Sequence, residues 1–271
     1  MPAKKTEILF GFGPHLLNLV EKKLPHRNNA DIIVIEAPQE VVDKFIKGKK
    51  KLTESELADY TPFPEESIKD LYQLRKLSKE GKTILGFGGF HSPEEWTKGE
   101  RNRLFVLQEN LSEHYLNGDV ESYARARVEL NRLLEGKAAE WIKSNLPNWK
   151  GKKIFIDMGA GHAPLYHMLK RDLKGISVRA EYLTKRMYEE RGILHKKKPL
   201  DQIINILTYR TPSAKNPEKI KELVRQQHEF DNEKKRLEAR YQFKERMTPE
   251  SASERAEFEL LRRQTRRGLR R

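Results

Sequence analysis

IFIDMGAGHAPLYHML, residues 154–169, decides the fold class of this chain. A short apolar run, rich in isoleucine and phenylalanine, stops at Gly159 and Gly161. His162 and Pro164 then open a stretch of helix formers. A strand covered on both faces reads as a nearly continuous apolar run, and a glycine turn leading into a helix is the βα corner of an α/β protein. Such a corner delivers side chains and free backbone N–H groups to the carboxyl edge of a sheet, where α/β proteins place their sites.

Two further segments share the pattern: ILFGFGPH at 8–15 and ILGFGGFH at 84–91. The first predicts a strand over 6–11 and a helix over 14–24, and 31–36 predicts a second strand that is apolar until its terminal acid, Glu36. Helices are expected over 38–46 and 64–77, a third strand over 83–87, a fourth over 153–157 and a fifth over 176–180. The fold class expected is therefore α/β, with a mostly parallel central sheet, flanking helices, a long helical insertion over 100–146 and a helical, basic C-terminal extension. In domain terms, 1–183 form the α/β core, 184–247 a helical extension and 248–271 a basic tail, helical in part or disordered. Leu223, Phe230, Leu237 and Tyr241 recur near heptad spacing, as on a long packing arm.

Composition excludes several chemistries. The 271 residues contain no cysteine, which removes disulfides, thiolate metal sites and cysteine nucleophiles, leaving histidine and carboxylates as metal ligands. No apolar run is long enough to span a bilayer, so the expectation is a cytoplasmic protein with no membrane partner. The net charge of +14 invites a polyanion such as nucleic acid. Its excess concentrates at 47–51, 195–198 and 261–271, the last carrying six arginines and no acid. A solvated basic surface explains the same charge.

Three site readings follow from the residues. His15 and His162, each at a glycine corner, can converge with Glu36 as two imidazoles and one carboxylate. That set suits a divalent metal, with Mn, Co and Zn not distinguished, that activates water. His91 sits at the rim of the same pattern. Alternatively, Gly11 and Gly13 after a strand, with Glu36 ending the next, suggest a dinucleotide site, although Leu16 stands where its third glycine belongs. Gly159 and Gly161, with Glu181 ending the following strand, resemble the first motif of S-adenosylmethionine-dependent methyltransferases, but too few strands follow.

The order of glycine turn and histidine, strand-ending Glu36, helical middle and strand-GAGH-helix resembles the superfamily of TraB/PrgY-type proteins, erythromycin esterases, ChaN-like haem-binding proteins and TIKI proteases. The resemblance covers roughly residues 8–173 and is best at Gly159 to His162; the esterase branch's acid after the first glycine is replaced by Phe12. It implies an arginine from the helix before the last corner, here Arg132 with Arg101 as the alternative, that stabilises negative charge on the substrate. The leading expectation is a metal-assisted hydrolase of a small molecule or peptide, with Glu36 and Arg132 catalytic, His15, Glu36 and His162 holding the metal, and Gly11, Gly13, Gly159 and Gly161 forming the binding turns. In a metal-free version, a histidine is general base and a glycine-turn N–H the oxyanion donor. A non-catalytic protein that binds nucleic acid or a protein through its basic tail is the alternative, and a nucleotide- or S-adenosylmethionine-using enzyme is third.

Overall fold

The structure, a computed structural model, describes residues 5–13, 19–48, 53, 64–87, 96–159, 162–183, 198–209 and 216–268. Its centre is a five-stranded, all-parallel sheet. The strands are β1 (Glu7–Gly13), β2 (Ile32–Ile35), β3 (Thr83–Gly86), β4 (Lys153–Gly159) and β5 (Ser177–Tyr182), ordered β3-β2-β4-β1-β5.

The connections explain the layers. From β1 to β2 and on to β3 the chain moves one way along the sheet, through α1 (Val20–Asn29), α2 (Gln39–Val41) with its π-helical continuation Val42–Lys47, and α3 (Pro64–Lys79). From β3 to β4 and on to β5 it moves back, through α4 (Lys98–Leu116), α5 (Val120–Asn145), a 3-10 turn at Leu146–Trp149 and α6 (Ala163–Asp172). Parallel crossovers share one hand, so opposite directions place their helices on opposite faces. Alternation along the strands fills both. Ile8, Phe10, Phe12, Ile32, Val34, Ile154, Ile156 and Met158 pack with Ala138, Ala139 and Ile142 of α5 and Leu165 and Leu169 of α6. Ile33, Ile35, Ile84 and Phe155 face Phe45 and Ile46 of the π-helix and Leu71, Leu74 and Leu77 of α3. Neighbours β1 and β4 therefore lead to helices on opposite faces, which makes their carboxyl ends a topological switch point.

The chain divides into two compact units, residues 1–101 with 131–184, and residues 102–130 with 185–271. This division cuts the helical insertion that the sequence assigns whole to the core. The reason is that α5 changes partners along its length. Ala138, Ala139 and Ile142 lie on the sheet, whereas Ala124 packs with Ile203, Ile220 and Leu223 of the C-terminal helices. Those helices are α7 (Pro199–Tyr209), α8 (Pro217–Glu245) and α9 (Pro249–Gly268). Much of the segment read as a basic tail is thus the helix α9, whose Ala252, Ala256, Leu260 and Leu261 bury against Phe230, Leu237 and Tyr241 of α8.

Candidate functional site

At the switch point the register sets Gly13 beside Gly159. Glu36 is the first residue after β2, the strand on the other side of β4. Its carboxylate reaches across: one oxygen accepts the Gly159 N–H at 3.0 Å, and the other lies 3.1 Å from His162 Nε2. The opposite ring nitrogen, Nδ1, lies 2.8 Å from Glu135 of α5. The three side chains are 14%, 15% and 2% exposed for Glu36, His162 and Glu135 respectively. Burial opposes a charge on the ring, but the hydrogen bonds to Glu135 and Glu36 outweigh it and push the His162 pKa up to about 10. The ring is therefore an imidazolium near neutral pH and has no lone pair with which to act as a general base. Two carboxylates against one imidazolium leave the cluster with net negative charge, which favours a cation.

The loop that presents Glu36 is fixed by the third glycine corner. A Cβ at Gly86 would lie 2.6 Å from the Ala37 carbonyl oxygen, 2.8 Å from that of Pro38 and 2.8 Å from Gln39 Cα. Only glycine lets residues 37–39 cross the end of β3 this closely. The Gly86 N–H also donates to Gln39 Oε1 at 2.8 Å.

Gly11 and Gly13 are both closely packed. A Cβ on Gly11 would meet the buried Phe155 ring at 2.4 Å, and one on Gly13 would meet Leu19 Cδ1 at 2.4 Å. His15, Gly161 and His91 lie outside the described residues. Arg132 and Arg101 are exposed. The α5 side chain that reaches His162 is Glu135, three residues after Arg132. It lies on the stripe of Asn131, Glu135, Ala138 and Ile142, a polar pair on an otherwise apolar helical face, and that pattern was readable in the sequence.

Strand order weighs against both nucleotide readings. β4 lies between β1 and β2, so Glu36 does not end the strand next to the Gly11–Gly13 turn. β1 likewise lies between β4 and β5, and Glu181 pairs with His26 at 3.5 Å, away from Gly159.

A second buried network sits two residues before Gly159. Arg27 of α1 is fully buried and donates to Asp157 at 2.5 Å, to both oxygens of Asp70 at 2.7 and 2.9 Å, and to Gln73 at 2.7 Å. Lys23 lies 3.1 Å from the same Asp157 oxygen. Burial alone would raise the Asp157 pKa, but Lys23 and Arg27 hold it below the usual carboxylate value. Nothing in the sequence marked Arg27 as buried.

Among the described residues no group of three or more histidine, aspartate and glutamate side chains is arranged to hold one metal ion. Geometry gives the reason: Glu36 and Glu135 sit at opposite nitrogens of one ring, so a single ion can take only one side. Comparison with protein-family models, with curated proteins and with solved structures returns no match.

Proposed function

We propose that the α/β unit is a metal-assisted hydrolase centred on the carboxyl ends of β1 and β4. The observation that carries the reading is the chain Glu135–His162–Glu36 at the switch point. Metal-binding histidines commonly give their second ring N–H to a carboxylate, which fixes the tautomer and the ring plane; Glu135 takes that part at Nδ1. An entering ion would displace the Nε2 proton, after which Nε2 and Glu36 Oε1, 3.1 Å apart, have the spacing of two donors sharing one ion at about 2.0–2.2 Å. In this proposal His15 is the third donor. A divalent ion supplies Lewis acidity and a water of lowered pKa when bound. The chain's own residues hold the donors still: Gly159 N–H fixes the second Glu36 oxygen, and Glu135 prevents the imidazole from turning. The substrate is a small molecule or peptide with a hydrolysable bond. The test is hydrolysis of a panel of ester and peptide substrates with and without added Mn²⁺, Co²⁺ or Zn²⁺. Metal-dependent turnover that falls about 100-fold in Glu36→Gln supports the reading, and turnover indifferent to both metal and substitution refutes it.

One observation favours a second reading. Each ring nitrogen of His162 already has a carboxylate partner, as a structural ion pair would. On that reading the core is catalytically silent and acts as a scaffold.

A further inference from the structure

The second unit carries a signal independent of the sheet edge. Helices α8 and α9 run antiparallel, and their charges are matched across the seam. Arg263 pairs with Glu233 at 3.0 Å, Lys234 with Glu257 at 3.5 Å and Arg255 with Glu245, while Tyr241 donates to Glu259, which also pairs with Arg263 of its own helix at 2.5 Å. Glu238 is taken up by Lys234 at 3.6 Å. These acids pair with cations at or beside the seam, Glu233 also lying 3.8 Å from Arg236, and the opposite face of α8 carries more cations than acids. Lys235, Arg236, Arg240, Lys244 and Arg246 are all exposed. Arg236, Arg240 and Lys244 recur every four residues, which aligns them in a stripe about 12 Å long. Phe243, three residues after Arg240 and seven after Arg236, falls within it and is 87% exposed. A phenylalanine this open among cations buries nothing in its own fold.

Arg246 adds a second observation. It closes α8 in the left-handed conformation, with φ at 51° and its N–H on the Tyr241 carbonyl. Glycine takes that position at lower cost. An arginine there extends the cationic stripe by one side chain past the helix end, at a position where glycine would cost less.

We propose that the exposed face of α8 from Lys235 to Arg246 binds single-stranded nucleic acid, with the arginines and lysines on phosphates and Phe243 stacked on a base. The cations gain affinity by counterion release, and the ring gains it by stacking without regard to sequence. An aromatic ring on a helix face stacks only on an unpaired base, which selects single strands over duplex. One phenylalanine on an otherwise charged face is too little apolar area to enter a lipid surface.

Fluorescence anisotropy of the full chain with labelled 20-nucleotide oligouridylate and oligothymidylate, between 50 and 200 mM NaCl, tests this. Replacing Arg236, Arg240 and Lys244 together by alanine lowers the slope of log affinity against log salt by about 2, since each phosphate contact on a single strand contributes about 0.7. Phe243→Ala weakens binding about tenfold and leaves the slope unchanged. Arg246→Gly raises the melting temperature while lowering affinity; a purely structural cap raises the first and leaves the second alone. All these side chains are exposed, and unchanged melting of the alanine variants shows that the fold is intact. The proposal is overturned if the triple variant with Phe243→Ala binds like the wild type, if replacing Arg266, Arg267, Arg270 and Arg271 by alanine alone removes all binding, or if duplex of the same length or phosphatidylserine vesicles bind as tightly as the single strands.

Discussion

Replacing Arg27 with methionine tests whether the buried network beneath the site is a stability element. Arg27 is fully buried and makes four side-chain hydrogen bonds that tie α1 to α3 and β4. Methionine keeps much of the volume and removes the charge, which strands Asp157, a residue only 8% exposed. Breaking a buried pair by removing one partner costs about 3–5 kcal/mol. Two features move the figure to the lower end. Lys23 stays 3.1 Å from the Asp157 carboxylate, and Asp70, with a side chain 25% exposed, can rehydrate. The expectation is a loss of about 3 kcal/mol in urea unfolding at pH 7. Removing both charges, as Arg27→Met with Asp157→Leu, restores most of that loss, because no uncompensated carboxylate remains. The pH dependence follows the same logic. The depressed Asp157 pKa gives stability that is present above the unfolded value near 3.9 and is lost as pH falls through the lower folded value, and Arg27→Met flattens that acid limb. A loss below about 1 kcal/mol, or strictly additive effects in the double variant, would show that Arg27 and Asp157 are not a coupled stability element.

Three further outcomes can be checked. Gly11→Ala forces a methyl into the Phe155 ring, which is buried and stacks on His26, so unfolding free energy falls by about 1–3 kcal/mol. Gly86→Ala meets backbone on three atoms; it costs about 2–3 kcal/mol and moves the loop bearing Glu36, seen as loss of the His162–Glu36 coupling in the imidazole NMR shifts. In chelator-treated protein the raised His162 pKa contributes stability that is fully present below the unfolded value near 6.5 and lost as pH rises toward about 10. The difference between wild type and His162→Gln therefore shrinks by on the order of 3 kcal/mol between pH 6.5 and 10, and a constant difference contradicts the ion pairing.

The parallel sheet was legible because its strands are continuous apolar runs ending in glycine, and each of the five appears within a few residues of its expected place. Their order was not, because nothing local says that β4, late in the chain, inserts between β1 and β2. That insertion carries His162 to Glu36, which sequence placed at a common sheet edge only through its corner pattern. Glu135 was missed in favour of Arg132 because arginine fitted the resemblance, while the apolar stripe around Glu135 gave the better physical signal. The corner at 84–91 offered the sequence only a rim histidine, and the reason for Gly86, the crossing of residues 37–39, exists only in three dimensions. The split of α5 between two units was hidden because both halves carry the same helical periodicity.

In the proposed site Glu36 and His162 Nε2 share one divalent ion behind which Glu135 orients the ring. Calorimetric titration of the chelator-stripped full chain with Mn²⁺, Co²⁺ and Zn²⁺ tests it most directly. One ion per chain is expected, with affinity reduced about 10–100-fold in Glu135→Gln and no measurable binding in Glu36→Gln or His162→Gln. Absence of binding to the wild type, or equal binding by all three variants, contradicts it.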